Sequence, residues 1–520
     1  MLEKVIIFIV FLCPLIFFHE LGHFLFARLF GVRVEVFSLG FGPKFLKWKR
    51  KDTEYALSII PLGGYVKMYG DDPLNGDQVP EDQRQFAFTH KSKWARFWIV
   101  LGGPLANFIL AFVLFFLLLM TGEKVPEAKF GYIKNNTELF RVGLRTGDVI
   151  KKINSAEVVG ISDLALEGDK ITSLDVQRGL ATVHLAFERD YKTFMDDFLN
   201  LSPRFRTPIL ANGNGERFAI SYEADKVNWT NSLDEMAENT HANLYLFPLL
   251  NPKDVADHKV DMTKVQTIVL NQKSPEDFYT KVTAKGFYPL DLVVSSIVMG
   301  SPADKAHVRE GDLILTLNNQ FYSSFEEIRE TIQQVKANEA VNLFVQRGTE
   351  TVLVSVIPEE KTVNGLKMKS VGVYSAGDYV PMQYVQSPGK GLITSFTQGL
   401  FRTWDSIEKT VDGFKKLITN EVSLKSIGGP LAIGKVASDS LNISLSYFFR
   451  LMALISVNLG VINLFPIPVL DGGHIMFLGF EVINRGPLSK RKMQIAQQFG
   501  VSLLFMLIFV ALFNDISRLF

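Results

Sequence analysis

Four stretches of the chain stay apolar long enough to cross a bilayer, roughly residues 4–29, 96–120, 447–467 and 497–513. A spanning helix needs about twenty such residues, so the last is short unless its polar flanks lie at the interface. Between the first two spans, the apolar run from Tyr55 to Met68 is interrupted by a Gly-rich bend at Pro61 to Gly64. That pattern predicts two short strands, a hairpin too apolar to stand far from the membrane. Further on, Phe396, Leu400, Trp404, Ile407, Val411, Phe414 and Leu417 recur at three- and four-residue steps among charged residues. They predict an amphipathic helix, expected on the membrane surface. Ser426 to Pro430 then breaks it, and the segment on to Ser444 is expected to return towards the bilayer.

The long region between the second and third spans repeats itself. R-T-G-D-V-I-K-K-I-N over 145–154 returns as R-E-G-D-L-I-L-T-L-N over 309–318. Two copies of one small module follow, each of strands with a helix; the second has its helix over 324–333 and strands over 341–346 and 351–357. The whole chain then divides into a first transmembrane helix (1–30), a loop with the hairpin (31–95), a second helix (96–120), a first module with an insertion somewhere in 160–190 and 229–280 (121–285), a second module (286–376), an amphipathic region (377–446), a third transmembrane helix (447–474), and a basic loop with the fourth helix (475–520). The expected fold class is a multi-pass α-helical membrane protein with four transmembrane helices, a membrane-associated β-hairpin and two α+β, β-barrel-like modules.

Composition narrows this further. A net charge of +1 over 520 residues, with no basic aromatic tract, gives no footing for nucleic acid. The single cysteine, Cys13, excludes an intrachain disulfide. The N-terminal segment has one Lys, no A-x-A-like site and apolar character beyond the length of a signal sequence, so it is expected to be retained. Arg33, Lys44, Lys47, Lys49, Arg50, Lys51, Lys67, Arg84, Lys91 and Lys93 crowd the first loop, and Arg485, Lys490, Arg491 and Lys492 the last. The positive-inside rule puts both loops in the cytoplasm, and both termini and the 121–446 region outside.

Chemistry enters at H-E-L-G-H, residues 19–23, inside the first span. Residues four apart share a helix face, so His19 and His23 can hold one divalent metal with Glu20 beside it. Three ionisable groups in five residues of a membrane helix need compensation, which a bound cation provides. Satisfied polar contacts between helices are the bland alternative. His19 lies about 22 Å along the first helix, towards the cytoplasmic end. The third span enters from the same side and reaches that depth where the sequence reads N-L-F-P-I-P-V-L-D-G-G-H, residues 463–474. Asp471 is therefore the expected third ligand, leaving a fourth position for water. An ordinary exit turn is the plainer reading of this stretch, and His474 competes as ligand. Pro466 and Pro468 break the helix, which membrane interiors tolerate beside protein or a wet cavity. The hairpin, through an exposed strand edge, could pair with an extended peptide or merely cover the helix ends.

H-E-L-G-H at 19–23, G-F-G-P at 40–43, P-L-G-G-Y-V-K at 61–67, G-G-P-L-A-N at 102–107 and N-x-x-P-x-x-x-x-D-G at 463–472 occur in this order along nearly the whole chain. In these motifs the chain resembles the site-2 protease family, and within it the bacterial regulator-of-sigma-E protease group; the paired G-D motifs resemble its two PDZ domains. The resemblance implies an intramembrane zinc protease of the bacterial inner membrane that cuts a single-pass, anti-sigma-factor-like protein already trimmed on its outer side, in envelope stress signalling. It assigns Zn2+ to His19, His23 and Asp471, general-base work to Glu20, substrate or transition-state contact to Asn463, and strand-like substrate binding to Gly63, Gly64, Tyr65, Val66 and Lys67. The PDZ pair would act as a size filter. The first module is longer than the family pattern, and neither carries a G-L-G-F-like carboxylate loop. The expected partners are thus a single-pass membrane protein and membrane lipid, with no nucleic acid. A membrane scaffold with PDZ domains and a purely structural metal site is the rival reading; a transporter lacks the paired broken helices that such folds use.

Overall fold

The computed structural model describes residues 2–71, 79–131, 133, 137–164, 170–179, 181–200, 205–238, 241–251, 258–272, 274–363, 366–380, 382–419, 428–484, 486 and 489–517. Arg485, and Ser426 and Ile427 of the expected break, lie outside them. The chain forms two compact units, Met1–Lys124 with Gln386–Phe520, and Val125–Val385.

In the first unit, helices α1 (Leu2–Leu29) and α2 (Lys93–Thr121), with the Leu445–Asn463 and Lys490–Ser517 helices, contain the segments long and apolar enough to cross a membrane. The fourth is longer than the apolar run alone, since Lys, Met and Gln at its start are good helix formers. The third ends at Asn463, short of the expected residue 467, because Pro466 and Pro468 have no N–H to continue it. Asp471 instead opens a separate helix, Asp471–Ile483. Helices α1 and α2 touch backbone to backbone: a Cβ on Gly22 would lie 2.0 Å from the Gly102 carbonyl oxygen. Small residues permit that approach between membrane helices. Phe11 and Leu15 of α1, Leu110 of α2, Ala437, Phe448 and Met452 form one buried cluster, with the Phe11 and Phe448 rings edge to face at 5.3 Å.

The expected surface helix, Leu392–Ile418, packs on α2 and the third span. Its buried stripe is Ser395, Thr403 and Ser406, while Phe396, Leu400, Trp404 and Val411 are half exposed. In water the large apolar residues would mark the packed face. Small residues line the buried stripe, as between membrane helices, and of the large ones Phe396 meets Phe112 edge to face at 5.3 Å and Ile407 packs on the cluster of Ala453 and Val457. Thr410 Oγ1 donates to Asn458 Oδ1 at 2.7 Å, Phe414 meets Phe465 at 4.8 Å, and Arg402 pairs with buried Glu123 at the end of α2. The next helix, Pro430–Ile443, starts on the buried Asp515 carboxylate, which accepts N–H bonds from Gly429, Leu431 and Ala432 at 2.9, 2.9 and 3.2 Å.

Two long bent strands, β1 (Val34–Arg50) and β2 (Thr53–Met68), form the hairpin. Val34 to Leu39 faces Met68 to Gly64 on one side and Glu54 to Leu57 on the other, and Lys44 to Arg50 pairs with Ser58 to Thr53. The result is four rows, with Gly64–Met68 at an edge. Among the described residues that edge carries a strand on one side only.

In the second unit, the first repeat closes its own core of Phe130, Leu144, Ile150, Leu174, Val176 and Phe194. The second builds on the strands Leu313–Leu317, Val341–Arg347 and Glu350–Val356 and the helix Phe325–Gln334. In both, the repeated aspartate ties its own turn to a distant strand. Asp148 accepts from the Arg145 N–H and from Arg178 at 2.7 and 2.8 Å; Asp312 accepts from the Arg309 N–H and from Arg347 at 2.7 and 2.8 Å. The signature is thus an architectural lock. The expected insertion is corrected: Lys170–Arg178 and Ala181–Asp190 are strands of the first repeat's own sheet with Val149–Ile153, since their alternation supplies Leu174 and Val176 to its core. The added layer is instead a five-stranded sheet in the order Gln266–Val269, Asn243–Pro248, Arg217–Ser221, Ile209–Asn212, Phe287–Pro289, of which only the first two strands lie in the expected 229–280. Strand alternation sends Leu210, Phe218 and Ile220 into one core and Ile209, Ala211 and Ala219 into the core of the second repeat.

Candidate metal centre

His19 and His23 project from α1 one turn apart, and their Nε2 atoms lie 3.3 Å apart. Asp471, first residue of its helix, brings Oδ2 to 3.4 Å from His19 Nε2 and 3.5 Å from His23 Nε2. The three potential ligand atoms lie within 4.8 Å of one another, the one such group among the described residues. Asp471 Oδ2 is buried and makes no hydrogen bond. Three electron-pair donors turned to a common point, one an orphaned carboxylate oxygen, suit a tetrahedral cation that uses N and O ligands. The far side of each ring is engaged as a metal ligand's should be. His23 Nδ1 donates to the Ile99 carbonyl at 2.9 Å, and His19 Nδ1 lies 3.3 Å from the Asn107 side-chain amide.

Glycines make the room. A Cβ on Gly103 of α2 would lie 2.3 Å from His23 Nε2 and 2.7 Å from His19 Cε1, so any larger residue displaces the rings. A Cβ on Gly64 would lie 2.9 Å from Glu20 Cγ. The open strand edge therefore begins against the Glu20 side chain. Gly63 has a φ of +154°, and a Cβ there would enter the Phe41 ring; that ring stacks on Tyr65 at 6.2 Å. Val66 packs into the cluster of Ala27, Val32 and Ile99, while exposed Lys67 pairs with Glu35 at 2.8 Å.

Asn463 is the last residue of the third span. Its turn abuts the start of the Asp471 helix, where a Cβ on Gly472 would lie 2.2 Å from the Leu464 carbonyl oxygen. His474, the competing ligand, is outside the converging group. The sequence reading passed over Asn107 and Gly103 as parts of a family motif. A polar amide inside an apolar span was the available signal in the sequence, and the side chain is fully buried.

The model of peptidase family M50 matches residues 7–507. The chain belongs to this family. It is a membrane metalloprotease of the site-2 type, and its relatives run its full length. It is 31% identical over 517 residues to the regulator of sigma E protease of Haemophilus influenzae, with 98% of each chain covered. It is 30% identical over 522 residues to the regulator of sigma-E protease RseP of Escherichia coli, and 31% identical over 523 residues to the protease RseP of Yersinia pestis, again with 98% of each chain covered. Part of the chain, 16% of it, is similar to the PDZ domain of the SdrC-like protein of Listeria monocytogenes, at 19% identity over 87% of that chain and a TM-score of 0.15.

Proposed function

We propose that the chain is an intramembrane zinc endopeptidase that cuts a single-pass membrane protein of the anti-sigma-factor kind, with His19, His23 and Asp471 as ligands. The convergence of their three ligand atoms on one point, with Asp471 Oδ2 lacking any hydrogen bond, carries this reading. Zinc bound there supplies a Lewis acid for the scissile carbonyl and a water ionisable near pH 7. Glu20, beside the two histidines, would serve as the base that takes up a proton from water and the acid that passes it to the leaving amine. A helical substrate hides its carbonyls in its own hydrogen bonds, so it must be drawn out as a strand before it can react. The open edge of residues 64–67, starting at Glu20, offers N–H and C=O groups to hold that strand. Asn463 donates to the developing oxyanion, an interaction that in other enzymes is worth about 2.7–4 kcal/mol. The repeats of the Val125–Val385 unit act as PDZ domains that exclude untrimmed substrates.

The basic loops lie in the cytoplasm and the Val125–Val385 unit outside, on the charge argument above. A reporter fused after Lys91 is expected inside and one after Gly311 exported, and the opposite pattern would reverse this orientation. Co-expression with candidate single-pass proteins tests the chemistry. Wild type should release the fragment, and Glu20→Gln should not while keeping its zinc. Normal cleavage by Glu20→Gln would leave the scaffold with a structural metal as the better reading.

A further inference from the structure

We infer that Asn107 is a positioning residue: its side-chain amide accepts the Nδ1–H of His19 and so fixes the ring nitrogen that faces the metal. The inference rests on the metal-site reading above. Asn107 is completely buried in α2, and its amide lies 3.3 Å from His19 Nδ1, on the side of the ring away from His23 Nε2 and Asp471 Oδ2. A neutral imidazole carries one N–H. If Nε2 gives its lone pair to a cation, that hydrogen sits on Nδ1 and needs an acceptor. His23 has one that cannot change, the Ile99 backbone carbonyl at 2.9 Å. His19 has only an amide, whose oxygen and nitrogen ends can exchange by rotation.

That rotation gives the two ends of Asn107 different meanings. With Nδ2 towards His19, the amide donates to a bare Nδ1, the ring hydrogen stays on Nε2, and Asn107 Oδ1 is buried without a partner. With Oδ1 towards His19, Nδ1–H is satisfied and Nε2 is free to ligate. The first arrangement suits the site without metal and the second the site with it, so binding of the cation and rotation of the amide are coupled. The backbone that carries the amide is tied to a third helix. Ser456 of the third span, fully buried, donates its hydroxyl to the Asn107 backbone carbonyl at 2.8 Å. One residue thus joins α1, α2 and the third span at the metal centre.

The test measures zinc retention by the purified full-length chain against a competing chelator, beside metal-free thermal unfolding. Asn107→Leu keeps the volume and removes the acceptor; Asn107→Asp keeps the acceptor. Loss of an outer partner of this kind weakens metal binding about 10–100-fold. Asn107→Leu should lose zinc by that factor, Asn107→Asp should retain it like wild type, and their metal-free midpoints should agree. Equal zinc retention in Asn107→Leu and wild type overturns the assignment. So does equal loss in both variants, or a lowered metal-free midpoint in both, since either marks a packing role. If wild type itself holds no zinc, the metal-site reading fails first and separately.

Discussion

Two clusters of charge-bearing groups, one in each unit, differ in whether protein atoms complete them. In the Val125–Val385 unit, Arg206 has five N–H donors to place and places them all. They go to Asp234 at 2.5 and 3.2 Å, Asp291 at 3.1 Å, the Ser323 carbonyl at 2.5 Å and the Tyr279 hydroxyl at 2.7 Å. Asp291 also accepts the Phe325 N–H at 2.9 Å, at the start of a helix in the second repeat. In the membrane unit, His19, His23 and Asp471 bring two ring nitrogens and a carboxylate oxygen together, and the oxygen makes no hydrogen bond. A complete cluster is a fastener. An incomplete one, in a place where burial without a partner costs several kcal/mol, is a receptor for what is missing.

The sharpest way to break that distinction is to remove one member from each cluster. Asp471→Leu should abolish zinc retention and bring substrate cleavage below detection, while hydrogen-exchange protection in the Val125–Val385 unit stays as in wild type. Zinc binding undiminished in that variant would mean that His474 or water replaces the carboxylate and that the orphaned oxygen was not the deciding feature. Arg206→Met should act in the other direction, on stability alone. It strands two buried carboxylates, and breaking such a pair costs about 3–5 kcal/mol; replacing Asp234 and Asp291 by Leu as well should recover most of that loss. Urea unfolding of the full chain measures both. If the single variant is as stable as wild type, Arg206 is not fastening the modules together.

How much of this could be read from the chain depended on the distance between partners. His19 and His23 are one helical turn apart, so their shared face is written in five residues. Asp471 lies far along the chain, and only matching depths of two spans pointed to it. The apolar run with a Gly-rich bend predicted a hairpin within 55–68, but the hairpin that forms is Val34–Arg50 on Thr53–Met68, turning at Lys51 and Asp52. The two halves of the run lie on opposite sides of Val34–Leu39, which leaves Gly64–Met68 at an edge. The Leu392–Ile418 helix was legible from its three- and four-residue apolar steps, but its packing on α2 and the third span through Ser395, Thr403 and Ser406 was not, because small polar residues carry no apolar signal. Arg206, Asp234 and Asp291 gave no signal at all, for their pairing crosses the separate sheet layer whose place in the chain the repeat did not reveal.

A milder intervention sharpens the same contrast. Gly103→Ala adds one methyl where the His23 ring nitrogen would be 2.3 Å away. The rings must shift, and a shift that spoils the ligand geometry should lower zinc affinity about tenfold or more, with the second unit unaffected. An alanine variant with wild-type zinc affinity and cleavage would show that the rings have room to move, contrary to a rigid three-donor site.

The smallest effect concerns a carboxylate between the two extremes. Glu238 shares a short helix, Leu233–Glu238, with Asp234, and lines a cavity of about 480 Å³ with Thr146, Glu276 and Gln320. Burial raises its pKa to about 6, opposed by the nearby Arg145 and Arg178 guanidiniums. Those are already committed, Arg178 to Asp148 and Arg145 to the Phe140 and Leu144 carbonyls. A carboxyl whose folded pKa is raised favours the folded state fully below its ordinary value, and that contribution is lost as pH rises through about 6. The Val125–Val385 unit should therefore be harder to open at pH 5 than at pH 8, by about 1 kcal/mol once its partial exposure is allowed for. Glu238→Gln should remove that increment, chiefly by stabilising the unit at pH 8. Native-state hydrogen exchange on the full chain at the two pH values reads it directly. A variant with the same pH slope as wild type would place the titration elsewhere, and Glu238 would then belong with the satisfied groups around Arg206.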